Sequence, residues 1–447
     1  MSVMSGAGAL LQNTGAFIVV LGLMIFFHEF GHFITAKAFG MRVFIFSFGF
    51  GRRLFGFKWG ETDLRVSLIP LGGYVKLEGE ADDAISEDTS ARGDGKDFTS
   101  RPRWQRFIVY LAGPAMNAVL TIAVLTVLYM NGFQVEGSLY DRPIIGSVEA
   151  GSPAAAAGLR PGDQIVAIDG KPVTTWESTE YAVMLRPDTA LNLRIRRDGQ
   201  ELEVPVRSTS TSSDKVGTIG VHPLVRVGQV LPGKPAQAAG LRENDAILAI
   251  DGKPVRSFNE IPVMIGAAAG KTLTLTVWRD GKVVEVPVAP RDDGEGPRIG
   301  IGPRYILQKF GFSQAVREAT RWTWGMTKLT FETLQRLLTA QISPKTMMGP
   351  LQIAKASGDA ARVGPGPLFY LVAVISLQIG IMNLFPLPPL DGGHLAILLF
   401  EGLLRRDFSV TVKAWIMNAG AMALFLLLGL VVYFDLSKTS LLSKYLP

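Results

Sequence analysis

Long apolar runs alternate with polar stretches along this chain, and four of the runs are long enough to cross a membrane. They cover 16–39, 107–130, 368–390 and 414–434. Each is close to the roughly 20 residues that an α-helix needs to span a hydrocarbon core. The pattern therefore predicts four transmembrane helices. The first run has no basic flank before it and no small-residue cleavage site after it, so we expect a permanent helix rather than a cleaved signal peptide.

The basic residues around these runs predict an orientation. Residues 1–14 contain no Lys or Arg, whereas basic residues cluster after the first run, before the second and after the third. Short cytoplasmic flanks retain positive charge. We therefore expect 41–104 and 391–413 in the cytoplasm, and both termini and 131–367 outside. In a bacterium, this places the chain in the inner membrane with the long segment in the periplasm.

A block of sequence occurs twice in that long segment. Residues 156–173 (AAGLRPGDQIVAIDGKPV) and 238–255 (AAGLRENDAILAIDGKPV) are identical at fourteen of eighteen positions, at an offset of 82. In each copy an Ala-rich helix is expected to end at Gly158 or Gly240, because a left-handed helix cap favours glycine. A strand, an Asp-Gly turn and further strands follow. The repeat predicts two small domains.

Polar and apolar residues alternate at helical spacing in the early part of 305–365. The spacing predicts an amphipathic helix lying on the bilayer or on the repeated domains. An ordinary docked helix is the alternative. Gly and Pro in 347–350 and 363–367 are expected to break the segment before the third span.

Composition excludes several classes of protein. The 447 residues include 48% hydrophobic and 19% charged residues, with a net charge of +6. A charge this small and scattered argues against a nucleic-acid partner. The absence of Cys excludes disulfide frameworks, thiolate zinc sites, iron–sulfur clusters and cysteine nucleophiles. A metal would need His, Asp or Glu ligands, and the histidines are His28, His32, His222 and His394.

Residues 28–32 (HEFGH) lie inside the first apolar run and match the pattern H-E-x-x-H. Residues i and i+4 of an α-helix are about 40° apart, so both imidazoles can reach one metal ion. Glu29 is close enough to act on a water molecule beside that metal. Because unpaired ionisable groups are costly inside a membrane, polar packing between helices explains this cluster less well than a metal site.

A hydrolytic zinc site needs a third protein ligand and leaves its fourth position for water. His28 and His32 lie roughly 7–14 Å inside the cytoplasmic edge of the first span, at about 1.5 Å per residue. Asp391, near the cytoplasmic end of the third run, comes to nearly the same depth. Prolines and glycines around it are expected to unwind the helix, which a membrane tolerates where backbone lines a polar cavity. We therefore prefer Asp391. We interpret His394 either as a neighbour of the site outside the ligand set or as merely cytoplasmic, and His222 as incidental.

At these motifs the sequence resembles the site-2 protease family of intramembrane zinc metalloproteases, over nearly the whole chain. Residues 28–32 match the family's HExxH, 383–394 (NLFPLPPLDGGH) match its NxxPxPxLDG element, and 113–117 (GPAMN) match the element that opens its second span. Within the family, the chain is similar to the bacterial branch with tandem PDZ domains. The repeated segments themselves resemble PDZ domains of bacterial envelope proteases.

The resemblance implies a catalytic set. His28, His32 and Asp391 would bind Zn²⁺. Glu29 would take a proton from water and pass it to the leaving nitrogen, and Asn383 would contact the substrate or the developing oxyanion. The implied substrates are single-span membrane proteins in regulated intramembrane proteolysis, namely an anti-sigma factor trimmed outside the membrane, and remnant signal peptides. A substrate helix would first have to unwind, because a helix hides its carbonyl groups.

Two further segments have implied roles in substrate access. Each PDZ domain would bind a peptide or chain end by strand addition and gate entry; alternatively, occluded grooves serve only as a size filter. Residues 43–77 alternate β-favouring residues around Trp59-Gly60-Glu61-Thr62, which predicts a β-hairpin. It resembles family elements (GFG at 49–51 and IPLGGYVK at 69–76) that form a membrane-associated sheet, whose edge could hold unwound substrate. A plain cytoplasmic hairpin is the alternative.

The expected fold is a multi-pass α-helical membrane protein with four transmembrane helices, a membrane-associated β-hairpin or sheet, and two α+β PDZ domains outside. The expected segments are a first transmembrane helix (1–40), a cytoplasmic loop with the hairpin (41–104), a second transmembrane helix (105–131), two PDZ domains (132–222 and 223–304), an amphipathic segment (305–365), a third transmembrane helix (366–392), a cytoplasmic loop (393–412), and a fourth transmembrane helix with its tail (413–447).

The expected function is an intramembrane zinc metalloendopeptidase with its active site near the cytoplasmic side. The alternative is a membrane-anchored PDZ scaffold with a vestigial metal site, which leaves ionisable residues in two separate spans unexplained. A transporter would show inverted repeats among its spans. A PDZ-bearing serine protease would show a soluble nucleophile motif such as G-x-S-x-G. Neither pattern is found.

Overall fold

A computed structural model describes residues 2–79, 95–211, 216–266, 271–292, 296–344 and 347–437 of the chain. The helices in these residues are α1 (Ser2–Ala38), α2 (Arg103–Asn131), α3 (Gly137–Tyr140), α4 (Pro153–Ala156), α5 (Trp176–Met184), α6 (Pro235–Ala238), α7 (Glu260–Gly266), α8 (Phe312–Leu338), α9 (Pro350–Val363), α10 (Pro365–Asn383), α11 (Asp391–Leu404) and α12 (Val410–Ser437).

The strands in the same residues are β1 (Val43–Trp59), β2 (Thr62–Leu77), β3 (Phe133–Glu136), β4 (Ile145–Val148), β5 (Gln164–Ile168), β6 (Lys171–Pro172), β7 (Ala190–Arg197), β8 (Gln200–Arg207), β9 (Thr209–Thr211), β10 (Val216–Thr218), β11 (Val221–Pro223), β12 (Val225–Val230), β13 (Ala246–Ile250), β14 (Lys253–Pro254), β15 (Leu273–Arg279), β16 (Lys282–Val288), β17 (Arg291–Asp292), β18 (Pro297–Arg298), β19 (Ile301–Pro303) and β20 (Tyr305–Gln308).

The chain divides into two compact units. The first, called the membrane unit, contains residues 1–133, 309–332 and 347–447. The second, called the module unit, contains residues 134–308 and 333–346. In the described part of the membrane unit, four helices are long and apolar enough to cross a membrane: Asn13–Ala38, Arg103–Asn131, Pro365–Asn383 and Val410–Leu436. Each overlaps one of the four apolar runs.

The third span differs from the sequence prediction at its end. We expected one helix over 366–392 followed by a loop over 393–412, but α10 ends at Asn383 and a separate helix, α11, begins at Asp391. Residues 384–390 between them include three prolines, which cannot donate backbone hydrogen bonds and clash with a preceding helical turn. Unwinding was expected around Asp391, and the structure has the break directly before it; the difference is that Asp391 begins a new helix instead of ending the third span.

Helices α1, α2 and α10 pack together at the centre of the membrane unit. Val20, Met24, Leu120 and Val372 form an apolar cluster among them. Two hydrogen bonds also join α2 to α10. The Thr121 hydroxyl of α2 donates to the Ala373 carbonyl oxygen, as well as to the Asn117 carbonyl oxygen of its own helix. The Ser376 hydroxyl of α10 donates to the Asn117 carbonyl oxygen. In a membrane, such hydrogen bonds and close packing stabilise helix association where apolar burial does not.

The hairpin expected over 43–77 is present, with Trp59 opposite Thr62 across a two-residue turn. It curls into a sheet of four segments, because residues 45–48 lie beside 73–76 on one side and beside 63–66 on the other. Residues 53–59 flank 63–66 on their remaining side. Register shifts along β1 mark the bulges that allow this curling. The edges of this curled sheet are residues 73–77, called the edge strand, and residues 53–59.

The repeated blocks fold into two equivalent modules. In the first, the strand order is β6-β5-β7-β8 and β4 pairs with β11; in the second, the order is β16-β15-β13-β12-β19, with β14 beside β13. Residues at the 82-residue offset occupy the same places in the two cores, as Ile165 does with Ile247 and Leu193 with Leu275. The sequence prediction of a duplicated small domain agrees with these strands and cores.

A buried ion pair is duplicated along with the modules. The Arg197 guanidinium donates to Asp163 at 2.6 Å and to the Gly158 carbonyl oxygen at 2.8 Å. Arg279 makes the same bonds to Asp245 at 2.6 Å and to the Gly240 carbonyl oxygen at 2.9 Å. Hydrogen bonding to the aspartate raises the pKa of each arginine. The pairs fix the helix-ending glycine turn to the sheet in both modules.

The segment 305–365 forms β20, α8 and α9. Helix α8 buries Ala315, Ala319, Thr323 and Thr330 on one face. Thr330 and Gln378 of α10 are hydrogen-bonded at 3.0 Å. This part of α8 is therefore an amphipathic helix docked on the membrane helices through its small residues.

Candidate metal centre and active site

His28 and His32 point to the same side of α1, as their spacing predicts. Their Nε2 atoms are 3.3 Å apart, and both side chains are buried. His32 is oriented through its other ring nitrogen, because Nδ1 lies 2.8 Å from the Val109 carbonyl oxygen of α2. That bond places the proton on Nδ1 and leaves the Nε2 lone pair free for a metal.

Asn117 of α2 orients His28 in a corresponding way. Its side-chain nitrogen lies 3.4 Å from His28 Nδ1, while its Oδ1 is buried and has no hydrogen-bond partner in the described part of the chain. Exchanging the amide oxygen and nitrogen, which are interchangeable by a half-turn of the side chain, makes Oδ1 the acceptor for the His28 Nδ1–H. Each imidazole then donates through Nδ1 to α2 and presents Nε2 to the same point.

Asp391 completes this group from the start of α11. One carboxylate oxygen lies 3.1 Å from His28 Nε2 and the other lies 3.4 Å from His32 Nε2. In the described residues, these three side chains are the cluster with a metal-binding arrangement. A tetrahedral zinc ion with ligands about 2.0–2.1 Å away holds its ligand atoms about 3.3 Å apart. The 3.3 Å between the two imidazole nitrogens matches this spacing, and one atom from each of the three side chains lies within 4.8 Å of the others. The group is therefore compatible with Zn²⁺ held by three protein ligands, with a fourth position left for water.

Gly113 of α2 makes room for this group. A Cβ atom at this position would lie 2.3 Å from His32 Nε2 and 2.8 Å from His28 Cε1. Any side chain would therefore intrude on the two ligand imidazoles. The sequence analysis matched the surrounding motif to the family but assigned no role to Gly113 or Asn117.

Glu29 and Asn383 lie beside the three candidate ligands. Glu29 faces the edge strand, where its carboxylate accepts a hydrogen bond from the Val75 backbone. The two elements are in close contact, because a Cβ atom added to Gly73 would lie 3.2 Å from Glu29 Cγ. The Asn383 side-chain nitrogen, at the end of α10, is 3.2 Å from His28 Nε2. A carboxylate and an amide thus face the candidate metal position from different sides.

A cavity of about 550 Å³ opens onto these residues. Its walls include Tyr74 and Leu77 of the edge strand and Tyr110 of α2. The His394 ring is also in the wall, stacked on Tyr110 with ring centroids 4.6 Å apart. His394 is not a member of the ligand group, and His222 lies in the module unit, where its Nε2 is 3.2 Å from Glu149.

Two helical histidines with two carboxylates, in a cavity among helices long and apolar enough to span a membrane, are the arrangement expected of an intramembrane zinc metalloprotease. The chain matches the model of peptidase family M50 over residues 16–427. It belongs to peptidase family M50, and it is a zinc-dependent protease of the site-2 type.

Named relatives agree with this class. The chain is 32% identical to the regulator of sigma-E protease RseP of Escherichia coli (strain K12), over 96% of this chain and 99% of that protein. It is 30% identical to a putative zinc metalloprotease of Vibrio cholerae, over 96% and 99% of the two chains. Among solved structures, it is similar to the PDZ domain of an SdrC-like protein from Listeria monocytogenes, with 20% identity, a TM-score of 0.18 and coverage of 19% of this chain and 88% of that one.

Proposed function

We propose that the chain cuts single-span membrane proteins within the membrane, with His28, His32 and Asp391 as its zinc ligands. The observation that carries this proposal is the convergence of these three side chains, with one donor atom from each within 4.8 Å of the others, beside the Glu29 carboxylate and the Asn383 amide. Zinc bound there supplies Lewis-acid chemistry, polarising a carbonyl oxygen and lowering the pKa of water.

The remaining steps belong to residues of the chain. Glu29 is the general base, because its carboxylate adjoins the ligands without being one of them; it takes a proton from water and delivers it to the leaving nitrogen. Asn383 donates from its amide to the substrate carbonyl oxygen, where negative charge develops. The hydrogen bonds that the imidazoles donate to the Val109 carbonyl oxygen and to Asn117 hold the two rings in place throughout.

The edge strand supplies the place where an unwound substrate would bind. Among the described residues, 73–77 pair with β1 on one side only, and Tyr74, Val75, Lys76 and Leu77 line the cavity. A substrate added as a further strand would satisfy its own backbone groups inside the membrane. It would also run past Glu29, which contacts the same strand.

The two modules are proposed to be PDZ domains that control access. Between α5 and the strands β10 and β11, the first module has a cavity of about 400 Å³, the expected position of a peptide or chain end. Phe258 of the second module lines the same cavity, and Arg256 is 3.1 Å from Glu149 of the first. Burial raises the pKa of Glu180 on the wall of this cavity, and the neighbouring His222 opposes the rise. The second module thus narrows the first groove, which supports a filter on substrate size.

The relatives' names suggest the physiological setting. A regulator of sigma-E protease acts in sigma-factor control, so an anti-sigma factor already trimmed outside the membrane is the proposed substrate, with remnant signal peptides as a second kind. The flanking basic residues support an inner-membrane location with both termini and the modules in the periplasm and the active site near the cytoplasmic side.

The test compares wild type with Glu29→Gln on a single-span reporter, using purified full-length protein. Wild type should cut within the span, and Glu29→Gln should lose at least about 10²-fold in rate while keeping its zinc. Glu243→Gln, an exposed change in the second module, is the matched control and should cut normally. Failure of wild type to cut any trimmed reporter, together with absence of zinc, would instead favour a peptide-binding scaffold.

Strand addition has its own test, which the absence of native cysteines makes direct. Lys76→Cys on the edge strand is combined with single cysteines along the reporter, and disulfide formation is measured. A bound strand should crosslink at alternate reporter positions, whereas a bound helix should crosslink every three or four. Lys58→Cys, on the far edge of the curled sheet, is the control and should give no crosslinks with this period.

A further inference from the structure

The two ends of the edge strand are fixed to different degrees. The strand begins at Gly73, directly after Gly72, and its pairing with β1 includes a register shift between Val43 and Ile45. Register is weakly specified in Gly-rich strands, and a bulge adds a further irregularity to the pairing. Contacts at the other end of the strand, after Leu77, are therefore important for its alignment.

One guanidinium group joins that end of the edge strand to the turn of the hairpin. Arg42, directly before β1, donates from Nη1 to the Glu78 carboxylate and from Nε to the Glu61 carboxylate, the latter at 3.0 Å. Arg42 and Glu78 are 6% and 1% exposed, whereas the Glu61 side chain is 57% exposed. Arg42 therefore has one buried partner beside the edge strand and one exposed partner in the turn.

Backbone hydrogen bonds hold the same two residues. The Glu78 N–H donates to the Arg42 carbonyl oxygen at 3.1 Å, which places these residues opposite each other, one step beyond the pair of Val43 and Leu77. The Phe98 N–H donates to the Glu78 carbonyl oxygen at 2.7 Å. Separating two buried charges is costly, so the ion pair opposes sliding of the edge strand along β1.

The alignment of the edge strand determines what Glu29 meets. The Glu29 carboxylate accepts a hydrogen bond from the backbone of Val75, three residues before Glu78. A slip by one residue would turn every side chain of the strand to the opposite face. A slip by two residues would keep the faces but move the strand by about 7 Å. Either slip would take Val75 away from Glu29.

We propose that the Arg42–Glu78 ion pair sets the register of the edge strand against α1, and thereby selects which peptide bond of a bound substrate meets the metal position. The inference rests on the proposed function, because a substrate strand paired with the edge strand follows its alignment. Neither residue is among the described residues that line the substrate cavity. Both are therefore positioning residues, and the place of the cut should depend on them more than zinc binding does.

The experiment compares Glu78→Gln with Glu61→Gln in full-length protein, using mass spectrometry to locate the cut in a single-span reporter. Glu78→Gln removes the buried partner and leaves Arg42 paired with Glu61. It should retain zinc and give a product cut two residues away from the wild-type bond. Glu61→Gln, which removes the exposed partner of the same guanidinium, is the matched control and should cut at the wild-type bond, since exposed ion pairs contribute little.

A covalent replacement of the ion pair gives a second, reversible test. Opposite residues of antiparallel strands have Cα atoms about 4.5–5.5 Å apart, within the range that a disulfide spans. Because the chain has no native cysteine, Arg42→Cys/Glu78→Cys can form one defined bridge. The oxidised protein should cut at the wild-type bond alone, and the reduced protein should also give the displaced product.

Three outcomes would overturn the inference. If Glu78→Gln cuts only at the wild-type bond, the ion pair does not set the register, and a lower rate at that bond would indicate lost stability instead. Identical products from the oxidised and reduced double-cysteine protein would contradict it in the same way. If wild type cuts no reporter, the proposed function fails and this inference fails with it, whereas in the first two outcomes wild type still cuts.

Discussion

Asn117 contributes to the metal site without contacting the candidate metal position. It is fully buried and faces His28 Nδ1 from α2, so it fixes which nitrogen of that imidazole is free. Groups that orient metal-bound histidines in this way commonly change metal affinity by 10- to 100-fold when removed. We expect a loss of zinc affinity of the same size when the Asn117 side chain is removed.

Asn117→Ala should therefore weaken zinc binding by about 10- to 100-fold and lower cleavage in proportion when zinc is limiting. Competition with a chelator of known affinity gives the binding constant. Asn131→Ala, at the exposed end of the same helix, is the control and should bind zinc as wild type does. Unchanged affinity in Asn117→Ala would show that the His28 ring is held by other contacts.

The candidate site residues were proposed from the sequence for different reasons. His28, Glu29 and His32 form a local pattern, because helical spacing alone brings i and i+4 together. Asp391 required a depth argument and a family resemblance. Asn117 and Gly113 could not be assigned, since their roles depend on α2 crossing α1 at one particular height, and His28 and Asn117 are 89 positions apart.

Among the elements, α12 approaches the break between α10 and α11 closely at Gly420. A Cβ atom on Gly420 would lie 2.1 Å from the Pro388 carbonyl oxygen. Pro388 belongs to the segment that leads directly into Asp391. The spacing between α12 and this segment therefore depends on the absence of a side chain at Gly420.

Gly420→Ala should push the 384–390 segment away and lower both zinc content and reporter cleavage. Gly429→Ala, on the same helix with nothing within 4 Å of its added methyl group, is the matched control. It should be neutral or slightly stabilising, since alanine favours a helix by about 1 kcal/mol over glycine. If both variants cut and bind zinc equally, α12 is free to adjust and its contact has no influence on Asp391.

The elements themselves were predicted to different degrees. Four apolar runs and a duplicated block gave the spans and modules, because length and repetition are visible in one sequence. Residues 393–412 were expected to form a loop, because the prolines before Asp391 and the glycines Gly392 and Gly393 are typical of irregular backbone. The structure instead has the 14-residue helix α11 there. The curling of β1 and β2 into four segments depends on bulges and on pairing between distant residues, which alternation alone does not determine.

At the scale of the whole molecule, the proposed zinc site joins distant parts of the chain. His28 and Asn383 are 355 positions apart in sequence, and the modules are encoded between them. A ligand that binds only the folded state stabilises the elements that it connects. Zinc is therefore expected to stabilise the membrane unit specifically.

Removing zinc with a chelator should speed amide hydrogen exchange in α11 and in the neighbouring turns of α1. The modules should exchange at the same rate with and without zinc, because none of the three candidate ligands belongs to them. Hydrogen exchange followed by mass spectrometry of peptides measures both in one sample. A uniform change across both units, or no change in α11, would contradict this assignment of the ligands.

The division of the site between α1 and α11 also has a consequence for biosynthesis. A ribosome that has produced the HExxH helix, the curled sheet and both modules has not yet produced Asp391. Until translation passes that residue and α11 packs beside α2, the nascent chain holds only part of the proposed metal site. Such a chain would be inert toward its neighbours in the membrane during insertion, so this arrangement delays activity without any inhibitory segment that must later be cut away.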